Sequence, residues 1–360
     1  MSKSKKTTGC TCGAAKKITD VTNVDDLREF MTTPTDALVK MMAGLAGDVM
    51  VLGCGGKVGP ELVETLMRAN RQAGARRTFY GVDLFPDGSP VQPDRFEALG
   101  AKVVKGDLTS SAFIASLPDA PNIIYMVGFK FGSSKNYRAT WHINAILPYL
   151  IGARFGSSRI VVFSSTNPYP HLPPASGGAK EEDDLDPTGV YGWSIVARES
   201  AFLTTQIQSP AQKLLFYRLA YAQHLGYGVL VDLARMIQKG ETISLSVPAV
   251  NVMSQRDAID VAVRSLQLAA NPGVPLNCAG PVWLVRDVAA RMSKILGKQP
   301  VYAADEGTTA FLANDAKCRS LLGEYRDAPE DLITAAANWV KRGGEYWDKP
   351  TMFGRADHKY

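Results

Sequence analysis

From Asp48 to Leu219 the hydrophobic pattern of this chain alternates between short apolar runs and amphipathic helical stretches. Near-continuous apolar runs such as Asn122 to Val127 and Arg159 to Phe163 are typical of strands covered on both faces of a parallel sheet. The alternation predicts a doubly wound α/β fold that binds ligands at the carboxyl ends of its strands. Strands are predicted at 48–53, 78–84, 102–107, 122–128, 159–165 and 213–219, and helices at 60–73, 93–99, 110–117, 136–155 and 188–207.

Weaker patterns flank this region on both sides. Helical spacing at 24–31 and 35–44 precedes the first strand, with Asn23 and Thr35 as candidate caps. After Leu219 the pattern predicts helices at 229–239, 257–269, 285–296, 315–322 and 330–341 and strands at 242–247 and 276–279. The predicted organisation is a disordered tail (1–17), a helical extension (18–47), a doubly wound domain (48–220), a smaller mixed α/β lobe interleaved with it (221–345) and a C-terminal tail (346–360), which is either free or an arm onto a partner.

A glycine cluster joins the first predicted strand of the alternation to its first helix. The cluster consists of Gly53, Gly55, Gly56 and Gly59. Such a loop holds a dinucleotide diphosphate, because glycines let the backbone approach the phosphates and the helix N-terminus offers free N–H groups. We therefore interpret residues 48–220 as a nucleotide-binding Rossmann domain.

An acidic residue, Asp83, ends the second predicted strand. A carboxylate at this place accepts hydrogen bonds from the adenosine ribose hydroxyls and repels a 2′-phosphate. Asp83 predicts NAD rather than NADP as the cofactor, whereas Lys57 in the glycine loop argues the other way.

Composition excludes several other classes of protein. The chain has 360 residues, of which 46% are hydrophobic and 21% charged, as in ordinary globular proteins. The net charge of +5 is spread along the chain, so no nucleic-acid partner is expected. Apolar stretches of about 18 residues are absent, so no transmembrane helix or membrane partner is expected.

Cysteine usage and the N-terminus bear on the compartment. The five cysteines are scattered, and the basic N-terminus has no apolar segment of a signal peptide behind it. Both features predict a reducing, cytoplasmic location. Cys10 and Cys12 could form half of a metal site, but no second Cys or His cluster completes one, and no metal is expected.

Further motifs follow the glycine loop and Asp83 in order. They are Gly106-Asp107-Leu108, Phe163-Ser164-Ser165-Thr166, Tyr191-Gly192-Trp193-Ser194, Arg218-Leu219 and Asn277-Cys278-Ala279-Gly280. Together they resemble the extended short-chain dehydrogenase/reductase superfamily, of the NAD-dependent epimerase/dehydratase type, over most of residues 48–342. The resemblance implies hydride transfer between a sugar carbon and nicotinamide, a homodimer through the helices at 136–155 and 188–207, and Tyr191 working with Thr166 or Ser165. The cofactor site that it implies comprises Gly53, Gly55, Gly56, Lys57, Val58, Gly59, Asp83, Asp107, Leu108, Val127 and Gly128, with Asp107 beside the adenine.

The sequence departs from the motif of that superfamily at one position. A lysine four residues after the tyrosine normally lowers the pKa of the phenol, and Ile195 stands there. Because an unperturbed tyrosine has a pKa of about 10, Tyr191 alone is a poor base at neutral pH. Three explanations remain open: another cation substitutes, Tyr191 only donates a hydrogen bond while another residue is the base, or catalysis has been lost.

Several residues are candidates for these roles. Lys130, after the fourth strand, is a candidate catalytic cation that could reach the ribose, and Arg198, two helical turns beyond Tyr191, is expected to contact substrate instead. His224 is a candidate base on the substrate side, while Tyr221 and Arg256 are candidate substrate residues, Arg256 for a phosphate or carboxylate. The proline-rich loop at 167–178 is expected to form a lid over the pocket.

The sequence as a whole predicts an NAD-dependent oxidoreductase or epimerase acting on a sugar, sugar acid or nucleotide sugar. An alternative from another class is a non-catalytic NAD(H)-binding regulatory or interaction protein, which the absent lysine would allow.

Overall fold

A computed structural model describes residues 16–349 and 351–356 of the chain. In these residues the strands are β1 (Val49–Leu52), β2 (Phe79–Asp83), β3 (Lys102–Lys105), β4 (Asn122–Tyr125), β5 (Arg159–Ser165), β6 (His171–Leu172), β7 (Lys213–Leu219), β8 (Tyr221–Gln223), β9 (Thr242–Leu245), β10 (Ala249–Ser254), β11 (Val274–Cys278), β12 (Val282–Leu284), β13 (Val301–Glu306) and β14 (Ala310–Phe311). The α-helices are α1 (Val24–Thr32), α2 (Asp36–Gly44), α3 (Gly59–Gln72), α4 (Pro93–Glu97), α5 (Ser111–Ser116), α6 (Tyr137–Trp141), α7 (Leu147–Arg154), α8 (Gly189–Gln208), α9 (Val229–Lys239), α10 (Gln255–Arg264), α11 (Val285–Leu296), α12 (Ala316–Leu322) and α13 (Pro329–Lys341).

Seven parallel strands form the central sheet, in the order β11-β7-β5-β4-β1-β2-β3. β1 and β4 are hydrogen-bonded neighbours although β2 and β3 lie between them in sequence. The direction in which strands are added reverses at this pair, and a crevice opens at its carboxyl end, where doubly wound folds bind ligands. The predicted doubly wound fold is confirmed, and all six strands of the predicted alternation belong to this sheet.

One strand predicted in the smaller lobe belongs to the central sheet. β11 pairs with β7 from Val274, opposite Leu215, to Cys278, opposite Leu219. Leu276 and Cys278 are both buried, as expected for a strand that helices cover. The local pattern identified the strand, and the pairing with a distant segment assigned it to the sheet.

Two helices, α1 and α2, precede β1. The side chain of Asn23 accepts a hydrogen bond from the Asp26 amide at the start of α1, and Thr35 accepts one from the Leu38 amide at the start of α2. These caps satisfy amides that have no partner within the helix. Buried residues of α2, including Met42, pack with α3 in one hydrophobic cluster, so the extension covers the helix layer on one face of the sheet.

The helix predicted over 136–155 is interrupted. α6 and α7 are separated by a π-helical turn at His142–Ile146. Pro148 explains the interruption, because it has no N–H to donate to the carbonyl of Asn144 four residues earlier. The irregular turn positions Asn144, which hydrogen-bonds Ser194 on α8.

The C-terminal segment packs against the smaller lobe of its own chain. Tyr346 Oη donates a hydrogen bond to Asp232, and both the amide and the hydroxyl of Thr351 donate to the same carboxylate on α9. Phe353 is buried in the cluster formed by α9, α11 and α13. Tyr346, Thr351 and Phe353 are therefore docked on their own chain, where the sequence had left a free tail or an arm onto a partner open.

In the parts of the chain that the structure describes, no helix is long and apolar enough to cross a membrane. Cys54, Cys278 and Cys318 are buried free thiols. No group of His, Cys, Asp or Glu among the described residues is placed to hold a metal ion. Cys10 and Cys12, the candidate half-site, lie outside those residues.

Candidate functional site

The glycine loop connects β1 to α3 at the crevice between β1 and β4. Gly53 has φ +86°, and a Cβ there would lie 2.8 Å from the amide nitrogen of Val127. A Cβ on Gly59 would lie 2.1 Å from the carbonyl oxygen of Cys54. Side chains at these two positions would push the loop off the strand and the helix. Among the described residues, no side chain caps the N-terminus of α3, and an uncapped N-terminus has amides that can bind an anion.

A pocket of about 330 Å³ lies beside this loop. Asp83 lines it, and its Oδ2 accepts a hydrogen bond of 2.8 Å from the amide of Gly55. The carboxylate thus borders the space in front of the loop. Residues that line the pocket are Gly53, Gly55, Gly56, Asp83, Phe85, Pro86, Ser89, Val91, Met126, Val127 and Gly128. Sequence reasoning missed the wall from Phe85 to Val91, because a loop after a strand carries no periodic signal.

Three predicted cofactor residues have other surroundings. The Asp107 side chain is exposed and accepts hydrogen bonds from the amide and hydroxyl of Thr109, which makes it a turn residue. Leu108 is buried in the cluster of one face of the sheet, and Val58 packs against the cluster of the other face. None of the three lines the pocket beside the glycine loop.

Two lysines and three aromatic residues meet at the other end of the crevice. The ammonium of Lys57 lies 3.8 Å from the ring centroid of Tyr227, and that of Lys130 lies 5.4 Å from the ring centroid of Tyr191 and 5.9 Å from that of Tyr221. Aromatic faces attract ammonium groups at these distances. We call this group, Lys57, Lys130, Tyr191, Tyr221 and Tyr227, the lysine–tyrosine cluster.

Both ammonium groups of the cluster have lowered pKa values. The pKa of Lys57 is lowered to about 8, mainly by burial and also by the charge of Lys349. The pKa of Lys130 is also lowered to about 8, mainly by burial and in addition by the charge of Lys57. At neutral pH both remain mainly protonated, yet either can release a proton near the pH at which enzymes work. Negative charge placed between them would be attracted by both.

Tyr191 is the centre of the predicted catalytic group. Burial raises the pKa of its phenol, while the charge of Arg198 and a hydrogen bond with Ser165 act in the opposite direction. Ser165 Oγ donates a 2.8 Å hydrogen bond to Asn167 Oδ1. Thr166 is also buried beside this pair. The structure thus brings Tyr191 to Ser165, one of the two hydroxyl residues that the sequence left open.

Arg198 does not take the place that was expected of it. It is only 4% exposed, and its guanidinium donates to the carbonyl of Phe163 and to Asn144 Oδ1, both at 2.7 Å. Side chains on a helix lean toward its N-terminus, so this long one reaches back under Gly128, where a Cβ would lie 2.8 Å from Nη2. Arg198 therefore supports the site from below and is not available to substrate.

Asn144 was missed by sequence reasoning. Besides accepting from Arg198, its Oδ1 accepts from the amide of Phe129, and its Nδ2 donates to the carbonyl of Phe129 and to Ser194 Oγ. One amide side chain thereby holds the segment that carries Lys130 against α8. The signal that could have found it is Pro148, which marks the helix irregularity at that residue.

The pKa of His224 is too low for the catalytic base that was expected. Burial, and then the charge of Arg95, lowers its pKa to about 3, so the imidazole stays neutral. Its Nδ1 accepts a hydrogen bond from the amide of Gly226, and its ring stacks on Trp347 with centroids 4.5 Å apart. His224 anchors the C-terminal segment beside Tyr227 and the lysine–tyrosine cluster.

Arg256 makes its contacts away from this site. Its guanidinium pairs with the carboxylate of Asp327 and lies 3.6 Å from the ring centroid of Phe30. The Asp327 side chain is almost fully buried. A buried pair of this kind joins α10 to the segment before α13 and leaves no free cation for a substrate phosphate, contrary to expectation.

The loop at 167–178 is fixed rather than a mobile lid. Tyr169 is fully buried, its hydroxyl donates to Asn277 Oδ1 at 2.8 Å, and it accepts from Arg218 at 2.6 Å. β6, within the loop, pairs with β14 of the smaller lobe. The loop is thus anchored to β7, β11 and β14.

No protein-family model and no curated protein matches the sequence. Solved structures match it over most of its length. MoeE5 in complex with UDP-glucose and NAD is 19% identical, with TM-score 0.64 and coverage of 82% of this chain and 99% of that chain. The Thermus thermophilus UDP-glucose 4-epimerase in complex with NAD is 16% identical, with TM-score 0.65 and coverage of 82% and 99%. A UDP-glucuronic acid 4-epimerase from Bacillus cereus is 13% identical, with TM-score 0.64 and the same coverage.

The chain has the fold of the nucleotide-sugar epimerases. The match spans nearly the whole of each of these enzymes, so both the sheet and the smaller lobe take part in it. The match agrees with the fold that the motif resemblance implies. At identities below 20%, what the nucleotide-sugar epimerase fold does in this chain has to be argued from its own side chains.

Proposed function

We propose that this protein is an NAD-dependent oxidoreductase or epimerase that acts on a sugar, sugar acid or nucleotide sugar, with Lys130 supplying the cation that the motif lysine would provide. The observation that carries the proposal is the Lys130 ammonium over the ring of Tyr191, at the open end of the glycine-loop crevice. Arg198 and Ser165 act on the same phenol.

The residues beside the glycine loop fit a dinucleotide. Gly55 and Gly56 leave the backbone open to a diphosphate, the uncapped end of α3 faces it, and Lys57 stands at the crevice end of the loop. Asp83 borders the adenosine side of the pocket, where its charge favours NAD and repels the 2′-phosphate of NADP. A nicotinamide bound there would supply the acceptor for a hydride from a substrate carbon.

The chain's own residues would handle the proton. Tyr191 starts as a neutral phenol, because burial raises its pKa. To act as the base, Tyr191 first loses its own proton to solvent, and an adjacent ammonium such as that of Lys130 stabilises the resulting phenolate, which then accepts the proton of the substrate hydroxyl. Its pKa of about 8 means that the cation is present at neutral pH and is lost above pH 8. Activity is therefore expected to fall on the alkaline side.

A non-catalytic NAD(H)-binding protein is the second candidate. Ile195, which stands where the motif has its lysine, is fully buried, so no cation occupies that position. Tyr191→Phe separates the two functions. Loss of turnover with unchanged NAD binding supports the enzyme, whereas unchanged turnover of every accepted UDP-sugar refutes the role given to Tyr191.

The cofactor itself is tested by denaturing the purified protein and analysing the released small molecules by mass spectrometry. Release of NAD or NADH, or calorimetric binding of either, supports the proposal. If neither is released and neither binds, the proposed function is wrong.

We further propose a homodimer through the helices around α6, α7 and α8. Large apolar side chains are exposed there: Trp193 is 50% exposed and Ile207 is 82% exposed, and Tyr137, Trp141, Ile146 and Tyr149 are exposed as well. Such a patch commonly marks a protein interface. Sedimentation of wild type, Trp193→Glu and the control Leu321→Glu tests the proposal. A dimer that only Trp193→Glu weakens supports it, and a wild-type monomer at micromolar concentration contradicts it.

A further inference from the structure

A second cavity lies at the opposite end of the central sheet from the glycine loop. It has a volume of about 810 Å³, within the range of ligand pockets. Asn122, Arg159 and Lys213, the first residues of β4, β5 and β7, form its floor. We call it the amino-end groove, and its other lining residues are Ala37, Lys40, Met41, Gly44, Leu45, Ala46, Pro121, Ser157, Ala211, Arg264 and Gln267.

Strand register brings two of its cations together. Arg159 is the register partner of Asn122 on one side and of Lys213 on the other. Neighbouring strands are about 4.8 Å apart, and residues in register point to the same side of the sheet. Arg159 and Lys213 are therefore adjacent like charges, an arrangement that repels.

These cations are not neutralised by the protein that the structure describes. Within residues 16–349 and 351–356, no acidic side chain pairs with Lys40, Arg159 or Lys213. The Nε of Arg159 is buried and has no hydrogen-bond partner in the same residues. Of the four groove cations, only Arg264 has an acidic partner within the described residues, Asp260 at 3.1 Å. A concave surface lined by one sign of charge concentrates ions of the other sign.

The remaining wall of the amino-end groove is apolar. Ala37, Met41 and Leu45 come from α2 and the turn after it, and Pro121 precedes β4. A ligand that fits both walls carries several negative charges at one end and an organic group at the other. Arginine suits phosphate in particular, because its planar fork donates two parallel hydrogen bonds.

We propose that the amino-end groove is a second ligand site, which binds a small organic molecule bearing two or more phosphate groups. The phosphates lie among Lys40, Arg159, Lys213 and Arg264, and the organic part lies against Met41 and Leu45. The site does not depend on the function proposed for the glycine loop, because it lies at the other end of the strands.

Calorimetric titration of the full-length protein tests the site, with inorganic pyrophosphate and ADP as probes at low ionic strength. The variant Lys40→Gln/Lys213→Gln removes two exposed cations, so folding should be retained. Lys294→Gln/Lys317→Gln removes two exposed lysines from α11 and α12 as a matched control. Lys57→Gln weakens phosphate binding at the glycine loop and so distinguishes the two ends of the sheet.

The expected result is a binding event for both probes that Lys40→Gln/Lys213→Gln weakens at least about tenfold, while the control pair and Lys57→Gln leave it in place. ADP should bind this site more tightly than pyrophosphate, and equal affinity would refute the apolar half of the site. Binding that only Lys57→Gln abolishes would overturn the proposal. So would a lack of any phosphate binding, or a groove that binds a hexaglutamate peptide and neither phosphate probe, because the face would then be a protein-docking surface.

Discussion

The ammonium of Lys130 lies 5.4 Å from the centroid of the Tyr191 ring, although the two residues come from separate segments of the chain. Asn144 fixes this relationship, because it hydrogen-bonds both the backbone of Phe129 and Ser194 on the helix of Tyr191. A lysine from the loop after β4 thus lies beside Tyr191, and the proposed function gives it the role of the missing motif lysine.

The first prediction concerns this cation. Lys130→Met should lower kcat/KM by about 10²- to 10⁴-fold, the usual contribution of assisted proton transfer, with little change in NAD affinity. Lys135→Met, an exposed lysine of the same loop, is the matched control and should be neutral. Adding Ile195→Lys to Lys130→Met should restore part of the loss. Full activity in Lys130→Met would exclude the role.

The second prediction concerns pH and stability. The folded protein holds Lys57 and Lys130 with pKa values of about 8, below the ordinary 10.5. Between pH 8 and 10.5 the unfolded chain therefore binds more protons, and this contribution to the free energy of unfolding rises with pH. Below pH 8 both states are protonated and the full cost of burial remains.

Urea denaturation at pH 7 and pH 9.5 measures this effect. Relative to wild type, Lys57→Met/Lys130→Met should be stabilised most at pH 7, and the difference should shrink at pH 9.5. Identical pH dependence in the two proteins would mean that neither ammonium is weakened in the folded state.

The third prediction concerns the glycine loop. Gly59→Ala places a Cβ 2.1 Å from the carbonyl oxygen of Cys54, a backbone atom that cannot move aside. The free energy of unfolding should fall by about 1–3 kcal/mol or more, as for other overpacked sites. Gly44→Ala, with no atom within 4 Å of its new Cβ, is the control and should be neutral or slightly stabilising. Equal stability of the two variants would contradict the close packing.

The fourth prediction concerns a buried ion pair behind the site. Arg218 and Glu199 are paired at 2.7 Å with side chains 6% and 7% exposed. Glu199→Gln leaves a buried guanidinium without its counter-charge and should cost about 3–5 kcal/mol of unfolding free energy. Glu306→Gln, which breaks the exposed pair with Arg286, should have little effect on the free energy of unfolding. Chemical denaturation of both variants makes the comparison, and similar losses would contradict the difference in burial.

Local sequence patterns predicted the features that depend on residues close together in the chain. Apolar runs identified the strands of the central sheet, capping residues such as Asn23 and Thr35 marked helix starts, and the glycine loop with Asp83 located one pocket. Each signal lies within a few residues of the feature that it predicts. Arg256 is a residue for which local signals fail, because its contacts Asp327 and Phe30 are distant in sequence and could not be predicted from the residues around Arg256.

The sequence by itself determined the doubly wound fold and the position of the glycine loop, because burial periodicity and backbone freedom are properties of consecutive residues. Only the tertiary structure decided which cation stands beside Tyr191, that β11 joins the central sheet, and that Arg159 and Lys213 share one groove. These relationships depend on how distant segments pack, and the free energy of that packing is spread over many contacts, none of which has a local signature in the sequence.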